Sequence, residues 1–201
     1  MVHFLIRQGA NVLIKESNGD SVIHKAIMAF YCDDSELLEV ITLLVSCGCD
    51  PAIANACGVS PLHVAVEKGD STVVDHLLSL GAPLPPDTLF TALESDLIPS
   101  RGMMMDVIEV LVSSGCDIAA RNGAGHTPLY VAVTRGYLFV VDYLLAQMDG
   151  APSEDLRLAT AQLPPEIRDM VIPWLDNRLA KLTRPDEHHD DRPAAKRARH
   201  S

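Results

Sequence analysis

The chain has 201 residues, of which 48% are hydrophobic and only 4% aromatic, and its formal net charge is −11 at pH 7. The hydrophobic fraction excludes a mostly disordered chain. No apolar run reaches the roughly 18 residues that a membrane span needs, so we expect no membrane-spanning segment. Met1 leads directly into a helical pattern rather than into a basic and then apolar leader, which predicts an intracellular protein, cytoplasmic, nuclear or both.

Glycines that end helices recur along the chain and predict an internal repeat. They lie at Gly9, Gly48, Gly81 and Gly115, at spacings of 39, 33 and 34 residues. Each follows an apolar segment at helical spacing, where a glycine in the left-handed conformation is a common helix end. A stacked array of such units has no single core, so the chain length counts repeats rather than globular domains.

The first unit of the chain is incomplete. Residues 1–14 have the pattern of a second helix without its preceding helix, and we interpret them as a partial repeat. The inner face of that helix would be uncovered, which indicates either a chain that begins further upstream or a frayed cap. Residues 15–50 form the first full repeat, in which about six extra residues around 29–34 separate the two helices.

The second repeat, residues 51–82, is the regular one. Its first helix begins with the motif Ser60-Pro61-Leu62-His63-Val64-Ala65. The Ser60 hydroxyl is expected to accept a bond from an unpaired backbone N–H, and Pro61 stands at the first helical position, where its missing donor costs nothing. Gly69 ends this helix, and a second helix begins at about Asp70.

The third repeat, residues 83–117, departs most from the pattern. Its connection from Leu78 to Leu89 is six residues shorter than elsewhere and rich in proline, so we expect an extended segment in place of a hairpin. The 22 residues from Leu89 to Leu111 predict an enlarged loop over residues 94–105, which contains three consecutive methionines. Flexible methionines in a loop are typical either of an adaptable contact surface or of local packing.

The fourth repeat, residues 118–151, contains the regular helix start again, as Thr127-Pro128-Leu129-Tyr130-Val131-Ala132. Both copies resemble the ankyrin signature T-P-L-H-x-A, which occurs in units of about 33 residues. The resemblance implies an all-α, ankyrin-type solenoid of stacked helix-turn-helix repeats with short hairpin loops. It also implies that the histidine of the motif, present at His24 and His63, hydrogen-bonds within and between repeats, and the last copy departs from it at Tyr130.

Residues 152–182 leave the repeat motif and are interpreted as a divergent helical cap. A helix is expected from Ser153, and the two prolines at 164–165 predict a break and a restart. Residues 183–201 are polar and contain prolines, so we expect a disordered tail. Its basic cluster resembles a short nuclear localisation signal, in which Lys196, Arg197 and Arg199 are the residues that importin would bind.

No sequence motif typical of catalysis is present: the chain lacks a nucleophile elbow, a phosphate-binding loop, a zinc-protease helix and a dinucleotide fingerprint. We therefore expect a protein that is not an enzyme and has no cofactor. The five cysteines are odd in number, which predicts reduced thiols rather than a disulfide framework. Cys47 and Cys49 lack a second ligand pair at zinc-site spacing, so no metal site is predicted.

The ankyrin resemblance implies a concave face, formed by hairpin tips and the exposed sides of first helices, whose side chains are free to vary. We expect partner-binding residues on that face at Ser17, Asn18, Asp20, Ala56, Cys57, Val59, Glu67, Lys68, Gly123, Ala124, His126, Thr134 and Arg135. Without the tail from Arg184, the chain carries 23 acidic and 11 basic residues. This balance opposes nucleic-acid binding and favours a protein partner with a basic or mixed surface.

The sequence thus predicts a non-catalytic protein–protein interaction module, an adaptor or regulatory protein that acts as a monomer. Two alternatives stay open. In the first, the chain is the ankyrin portion of a larger enzyme or signalling protein, such as a ubiquitin-ligase substrate receptor. In the second, it is a purely structural array whose concave face is interrupted where the third hairpin is missing.

Overall fold

The structure is a computed structural model that describes residues 6, 8–29, 34–148 and 153–183. Residues 1–5 and 7 of the expected partial repeat and the whole basic cluster of the tail lie outside these residues. The described ranges contain ten helices and no β-strand. In chain order the helices are α1 (Val22–Ala29), α2 (Asp34–Ser46), α3 (Pro61–Lys68), α4 (Ser71–Ser79), α5 (Thr88–Glu94), α6 (Arg101–Ser113), α7 (Pro128–Thr134), α8 (Leu138–Gln147), α9 (Ser153–Gln162) and α10 (Pro165–Thr183).

The helices pack as five consecutive pairs, α1 with α2, α3 with α4, α5 with α6, α7 with α8, and α9 with α10. The first helices of the pairs form one continuous row, in which α1, α3, α5, α7 and α9 each contact the next. The second helices α2, α4 and α6 form another row. The predicted all-α solenoid of stacked repeats is therefore confirmed.

Hydroxyl caps begin the regular first helices, as the sequence predicts. The Ser60 hydroxyl accepts from the His63 backbone N–H at 3.4 Å, and Pro61 holds the first position of α3. The Thr127 hydroxyl accepts from the Tyr130 backbone N–H at 3.3 Å, one turn into α7. Each cap satisfies one of the donors that a helix start leaves without an intrahelical partner.

One pair of buried residues recurs in every first helix of the row: an aliphatic residue and, three positions later, an alanine. The pairs are Ile23 with Ala26, Leu62 with Ala65, Leu89 with Ala92, Leu129 with Ala132, and Leu156 with Ala159. Residues three apart share a helix face, and the small alanine lets the neighbouring backbone approach closely. The last pair makes α9 a further first helix, so the expected cap extends the row instead of only closing it.

Second helices end with a common backbone hydrogen bond that spans a glycine. At 3.0 Å in each case, the N–H of Cys49 donates to the carbonyl of Leu44, that of Ala82 to Leu77, and that of Cys116 to Leu111. The intervening glycines have φ between 87° and 95°, a region that residues with a Cβ rarely adopt. The glycine spacing used to count the repeats therefore marks one structural feature.

The predicted loop over residues 94–105 is wrong in its second half. The Ser100 hydroxyl accepts from the Met103 N–H at 3.2 Å and caps α6, which begins at Arg101. The methionines therefore lie in the helix, and Met104 is only 6% exposed. The helix starts ten residues before its buried Leu111, whereas regular α4 starts six residues before the equivalent leucine. Much of the insertion thus lengthens the second helix.

Candidate functional site

The connection into the third repeat is shorter than those into the second and fourth repeats. Fourteen residues, 47–60 and 114–127, join α2 to α3 and α6 to α7, but only eight residues, 80–87, join α4 to α5. We name the tight turns that precede the first helices hairpin one (residues 15–21), hairpin two (residues 54–60) and hairpin four (residues 121–127). In the third repeat, residues 82–85 have no regular secondary structure and a turn follows at 86–87, which confirms the predicted loss of its hairpin.

Hairpins one and two lie directly against each other. The Ala56 N–H donates to the Asn18 carbonyl at 3.0 Å, and a Cβ added to Gly19 would lie 2.7 Å from the Ala56 nitrogen. Because Gly19 also has φ of +84°, both the close approach and the backbone conformation require glycine there. The two tips are therefore fixed relative to each other.

Asp20 is the polar link between these two hairpins. Its carboxylate accepts from the Asn55 and Asn18 side-chain amides at 2.8 Å each and lies 3.2 Å from the Lys25 ammonium. The pKa of Asp20 is lowered, chiefly by the Asn55 hydrogen bond and then by Asn18 and Lys25, although burial opposes the shift. The residue is only 2% exposed. Its expected role in contacting a partner is thus wrong, because its oxygens are used within the fold.

His24 makes a second link, which the ankyrin resemblance implied. Its Nδ1 accepts from the Ser21 N–H at 3.2 Å, so Nε2 carries the proton and donates to the Val59 carbonyl at 2.9 Å. In the next repeat, the His63 Nδ1 lies 2.8 Å from the Ser60 hydroxyl. The His63 Nε2 lies 3.8 Å from the Asp87 carboxylate, beyond hydrogen-bonding distance.

Tyr130, which replaces the histidine in the fourth repeat, makes a different contact. Its ring stacks on His126, with 3.8 Å between the ring centroids and an angle of 14° between the planes. His126 is therefore half-buried on this ring. His126 was expected to bind a partner, but it is only partly exposed, because one side of its ring packs on Tyr130.

The expected binding residues at the far ends of α3 and α7 are partly engaged in the fold. The Lys68 ammonium donates to the Ile27 carbonyl at 2.7 Å, which satisfies the end of α1. The Thr134 hydroxyl donates to carbonyls of its own helix at 3.0 and 3.1 Å. Arg135 pairs with Asp96 at 3.2 Å, in a surface ion pair of little energetic weight. The expectation that Lys68 and Thr134 are unused by the fold is therefore wrong.

The remaining expected residues lie mostly at the hairpin tips. Exposed side chains or backbone are found at Ser17, Asn18, Ala56, Cys57, Glu67, Gly123 and Ala124, and Val59 is half-buried. The Asn18 amide is bound to Asp20, as described above. The exposed surface thus consists of two separate tip regions, one from hairpins one and two and the other from hairpin four.

A groove of about 750 Å³ lies between hairpin four and the start of the third repeat, where the hairpin is missing. Its lining is Pro85, Pro86, Asp87, Phe90, Thr91 and Glu94 on one side and Arg121, Asn122, Gly123 and Ala124 on the other. Two acidic side chains, Asp87 and Glu94, are exposed along it. The Arg121 guanidinium, the one cation among the described residues of the lining, donates to the Gly125 carbonyl at 2.7 Å and pairs with Asp155 at 3.6 Å. The groove itself therefore has an acidic character.

The start of α5, beside this groove, lacks the capping chemistry of the regular repeats. Asp87 occupies the cap position in a helical conformation, with φ −85° and ψ −8°, and its side chain makes no cap hydrogen bond. Within the described residues, the buried Thr88 hydroxyl has no hydrogen-bond partner. Phe90 stands where the motif has histidine and is 5% exposed. None of these changes was predicted from the sequence, where the expectation rested on the length and proline content of the connection.

The thiols within the described ranges divide into two classes. Cys47 and Cys57 are exposed, whereas Cys49 and Cys116 are buried. Burial raises the pKa of both buried thiols, and the Cys49 thiol donates to the Val12 carbonyl at 3.2 Å. Within the described ranges, His, Cys, Asp and Glu side chains form no group of three that could hold a metal ion.

Curated relatives contain the same kind of sequence. Glycerophosphocholine phosphodiesterase gde1 of Schizosaccharomyces pombe is 28% identical over 54% of this chain and 10% of its own length. Transient receptor potential cation channel subfamily A member 1 of Drosophila melanogaster is 27% identical over 72% of this chain and 12% of its own. The B-cell lymphoma 3 protein homolog of Mus musculus is 26% identical over 72% of this chain and 32% of its own. The chain thus spans about a tenth to a third of the length of these relatives.

Two family models match the chain. The model described as "Ankyrin repeats (3 copies)" matches residues 1–88, and the model described as "Ankyrin repeat" matches residues 124–156. The unmatched stretch from 89 to 123 contains most of the altered third repeat. No helix of the described ranges is long and apolar enough to cross a membrane. With the stacked helix pairs, the capped T-P-L motif and the inter-repeat histidine, these matches show that the chain belongs to the ankyrin-repeat family.

Proposed function

We propose that this array is a non-catalytic adaptor or regulatory module that binds a protein partner on its concave face, at the hairpin tips. The observation that carries the proposal is that some residues at and beside the hairpins are buried in contacts between repeats, whereas others are exposed. Asp20 and His24 are buried and join neighbouring repeats, whereas Ala56, Cys57 and Ala124 are exposed at the outermost positions. Side chains that the fold does not need are available to a partner.

Charge indicates the kind of partner. The sequence outside the tail from residue 184 carries 23 acidic and 11 basic residues. Such a surface repels nucleic acid and attracts a protein with basic or mixed charge. Binding of such a protein by the monomeric array is the function that we propose.

Affinity capture with the whole chain tests the proposal. A tip variant, Ser17→Arg with Ala56→Arg, adds bulk and positive charge at exposed positions of hairpins one and two. A matched control, Ser79→Arg with Ser113→Arg, adds the same charge at equivalent exposed positions on α4 and α6. We expect the tip variant to lose partners that the control retains, and equal recovery by both variants would refute the placement of the site.

A second candidate function is favoured by the lengths of the relatives, of which this chain spans at most about a third. In this candidate the array is the interaction part of a larger enzyme or signalling protein, such as a ubiquitin-ligase substrate receptor. An antibody against the array distinguishes the candidates by immunoblot. An endogenous protein near the 21.8 kDa of this chain supports the first, and a much larger one supports the second.

The basic cluster at Lys196, Arg197 and Arg199 is proposed as a nuclear import signal that binds importin. This proposal rests on the sequence alone, since the cluster lies outside the described residues. A reporter fused to residues 184–201 should enter the nucleus, and Lys196→Ala with Arg197→Ala should prevent it. Retention of the unaltered fusion in the cytoplasm would remove the nuclear assignment.

A further inference from the structure

The contact between hairpins one and two shows what one repeat offers to the hairpin that follows it. The Asn18 carbonyl accepts a backbone N–H from that hairpin at 3.0 Å. The His24 Nε2 donates to the Val59 carbonyl of the same hairpin at 2.9 Å. Gly19 allows the neighbouring backbone to lie within contact distance. A hairpin edge in this array is therefore a template that binds extended backbone.

Hairpin two carries the same template, but among the described residues no following hairpin lies against it. Cys57 and Gly58 stand at the positions of Asn18 and Gly19. A Cβ added to Gly58 would meet no described atom within 4 Å, whereas one added to Gly19 would clash with the next hairpin. Within the same described ranges, the Cys57 carbonyl accepts no backbone hydrogen bond. The equivalent donor, the His63 Nε2, stays 3.8 Å from the Asp87 carboxylate.

We propose that the gap left by the missing third hairpin binds an extended, basic segment of a partner protein, which takes the place of that hairpin. The inference rests on the proposed protein-binding function and specifies its site and the chemistry of its partner. The connection into the third repeat is six residues shorter than those into the second and fourth repeats, so the bound segment is about six residues long. This mode is a local form of strand addition to an unpaired edge.

Charge complementarity selects the basic character of the segment. Asp87 and Glu94 are exposed along the groove, and the Asp87 side chain is 71% exposed. Arg121, the nearest cation of the lining, is held by Gly125 and Asp155. A lysine or arginine of the segment pairs with these carboxylates and lays its aliphatic stem on Pro85 and Pro86, which are half-buried and exposed, respectively. Its backbone meanwhile donates to the Cys57 carbonyl and accepts from the His63 Nε2.

The probe is a displayed library of random ten-residue peptides, selected on the whole chain. Three variants accompany the wild-type chain. In the hairpin-restored variant, residues 80–87 are replaced by a copy of residues 47–60, which fills the gap. In the charge variant, Asp87→Asn is combined with Glu94→Gln, and its matched control combines Asp75→Asn with Glu109→Gln at exposed positions of α4 and α6. Circular dichroism confirms that each variant is folded.

We expect the selected peptides to be rich in lysine and arginine. A selected peptide, synthesised with a fluorescent label, should lose about tenfold or more in affinity for the hairpin-restored variant. It should lose about threefold or more for the charge variant and keep its affinity for the matched control. If the restored variant does not fold, the charge variant and its control still decide the result.

Three results would overturn the inference. They are equal binding to the wild-type chain and to the hairpin-restored variant, equal binding to the charge variant and its control, and selection of acidic or uncharged peptides. None of these affects the proposed function, because a partner bound at the hairpin tips would still be lost in the tip variant described above. The two proposals therefore fail separately.

Discussion

Asp20→Asn is expected to weaken the contact between the first two repeats. The Asp20 carboxylate accepts two hydrogen bonds of 2.8 Å, one on each oxygen, and lies 3.2 Å from the Lys25 ammonium. An amide keeps one acceptor, which Asn55 still reaches, but it places an NH₂ group against the Asn18 amide and Lys25. Hydrogen bonds to charged groups contribute about 1.5–3 kcal/mol each, so we expect the free energy of unfolding to fall by about that amount at pH 7.

The pH dependence gives this prediction its sharpest test. The folded pKa of Asp20 lies below its ordinary value of 3.8. The stability that the carboxylate supplies is therefore complete at neutral pH and is lost as the pH falls from that value through the folded pKa. The amide of the Asp20→Asn variant does not titrate. The difference in the free energy of unfolding between the wild type and the variant should therefore become smaller below about pH 4.

Urea denaturation followed by circular dichroism from pH 7 to pH 3 measures the difference. Asp75→Asn, an exposed residue of α4, serves as the control and should change the free energy of unfolding by no more than about 0.5 kcal/mol. The reasoning is refuted if Asp20→Asn is as stable as the wild type at pH 7, or if the difference stays constant down to pH 3.

Three further substitutions test the packing by the same urea assay. Met104→Ala should lower the free energy of unfolding by about 2–3 kcal/mol because Met104 is buried. Met103→Ala should lower it by about 0.5 kcal/mol or less because Met103 is exposed. Equal losses would mean that the methionines lie in a loop rather than in α6. Gly58→Ala should cost about 1–2 kcal/mol for its left-handed backbone, and Gly19→Ala clearly more, because its Cβ also meets Ala56; equal costs would mean that the hairpins are not in contact. Thr88→Val should raise stability by about 1 kcal/mol by removing a buried hydroxyl that has no partner among the described residues, and a loss would reveal a hydrogen bond at that position.

Features that depend on neighbouring residues were predictable from the sequence. The caps at Ser60 and Thr127, the glycine-ended second helices and the shortened third connection are all determined within a few residues of the chain. Local hydrogen-bonding and steric rules therefore suffice to locate them. The repeat count followed because the same local signals recur at regular spacing.

Features that depend on contact between repeats were predicted poorly. From the sequence, Asp20 was expected to be an exposed carboxylate, because its hydrogen-bond partner Asn55 lies 35 residues away in the chain. Lys68 likewise reaches back 41 residues to the Ile27 carbonyl. The hairpin edge of Cys57 and Gly58 was also missed, because an unoccupied template is recognised only by comparison with an occupied one. The equivalent positions Gly19 and Gly58 provide that comparison once both are placed in the structure.

Whether the motif histidine makes an inter-repeat hydrogen bond depends on the presence of a following hairpin that its Nε2 can reach. His24 precedes a repeat with a hairpin and binds the Val59 carbonyl, whereas His63 precedes the shortened connection and keeps its contact with Ser60. Phe90 replaces the histidine within the altered repeat and is buried in apolar packing. The geometry of the link thus requires both the ring and the following hairpin.

This dependence predicts unequal effects of removing the two histidines. His24→Ala leaves the buried Ser21 N–H and the Val59 carbonyl without the ring that they bind, which should cost about 1–3 kcal/mol more than His63→Ala. Urea denaturation of both variants measures the difference. The comparison also bears on the gap, because insertion of a hairpin into the third repeat should give His63 a carbonyl to bind. In that background His63→Ala should become nearly as costly as His24→Ala, and an unchanged cost would show that the inserted hairpin does not occupy the template at hairpin two.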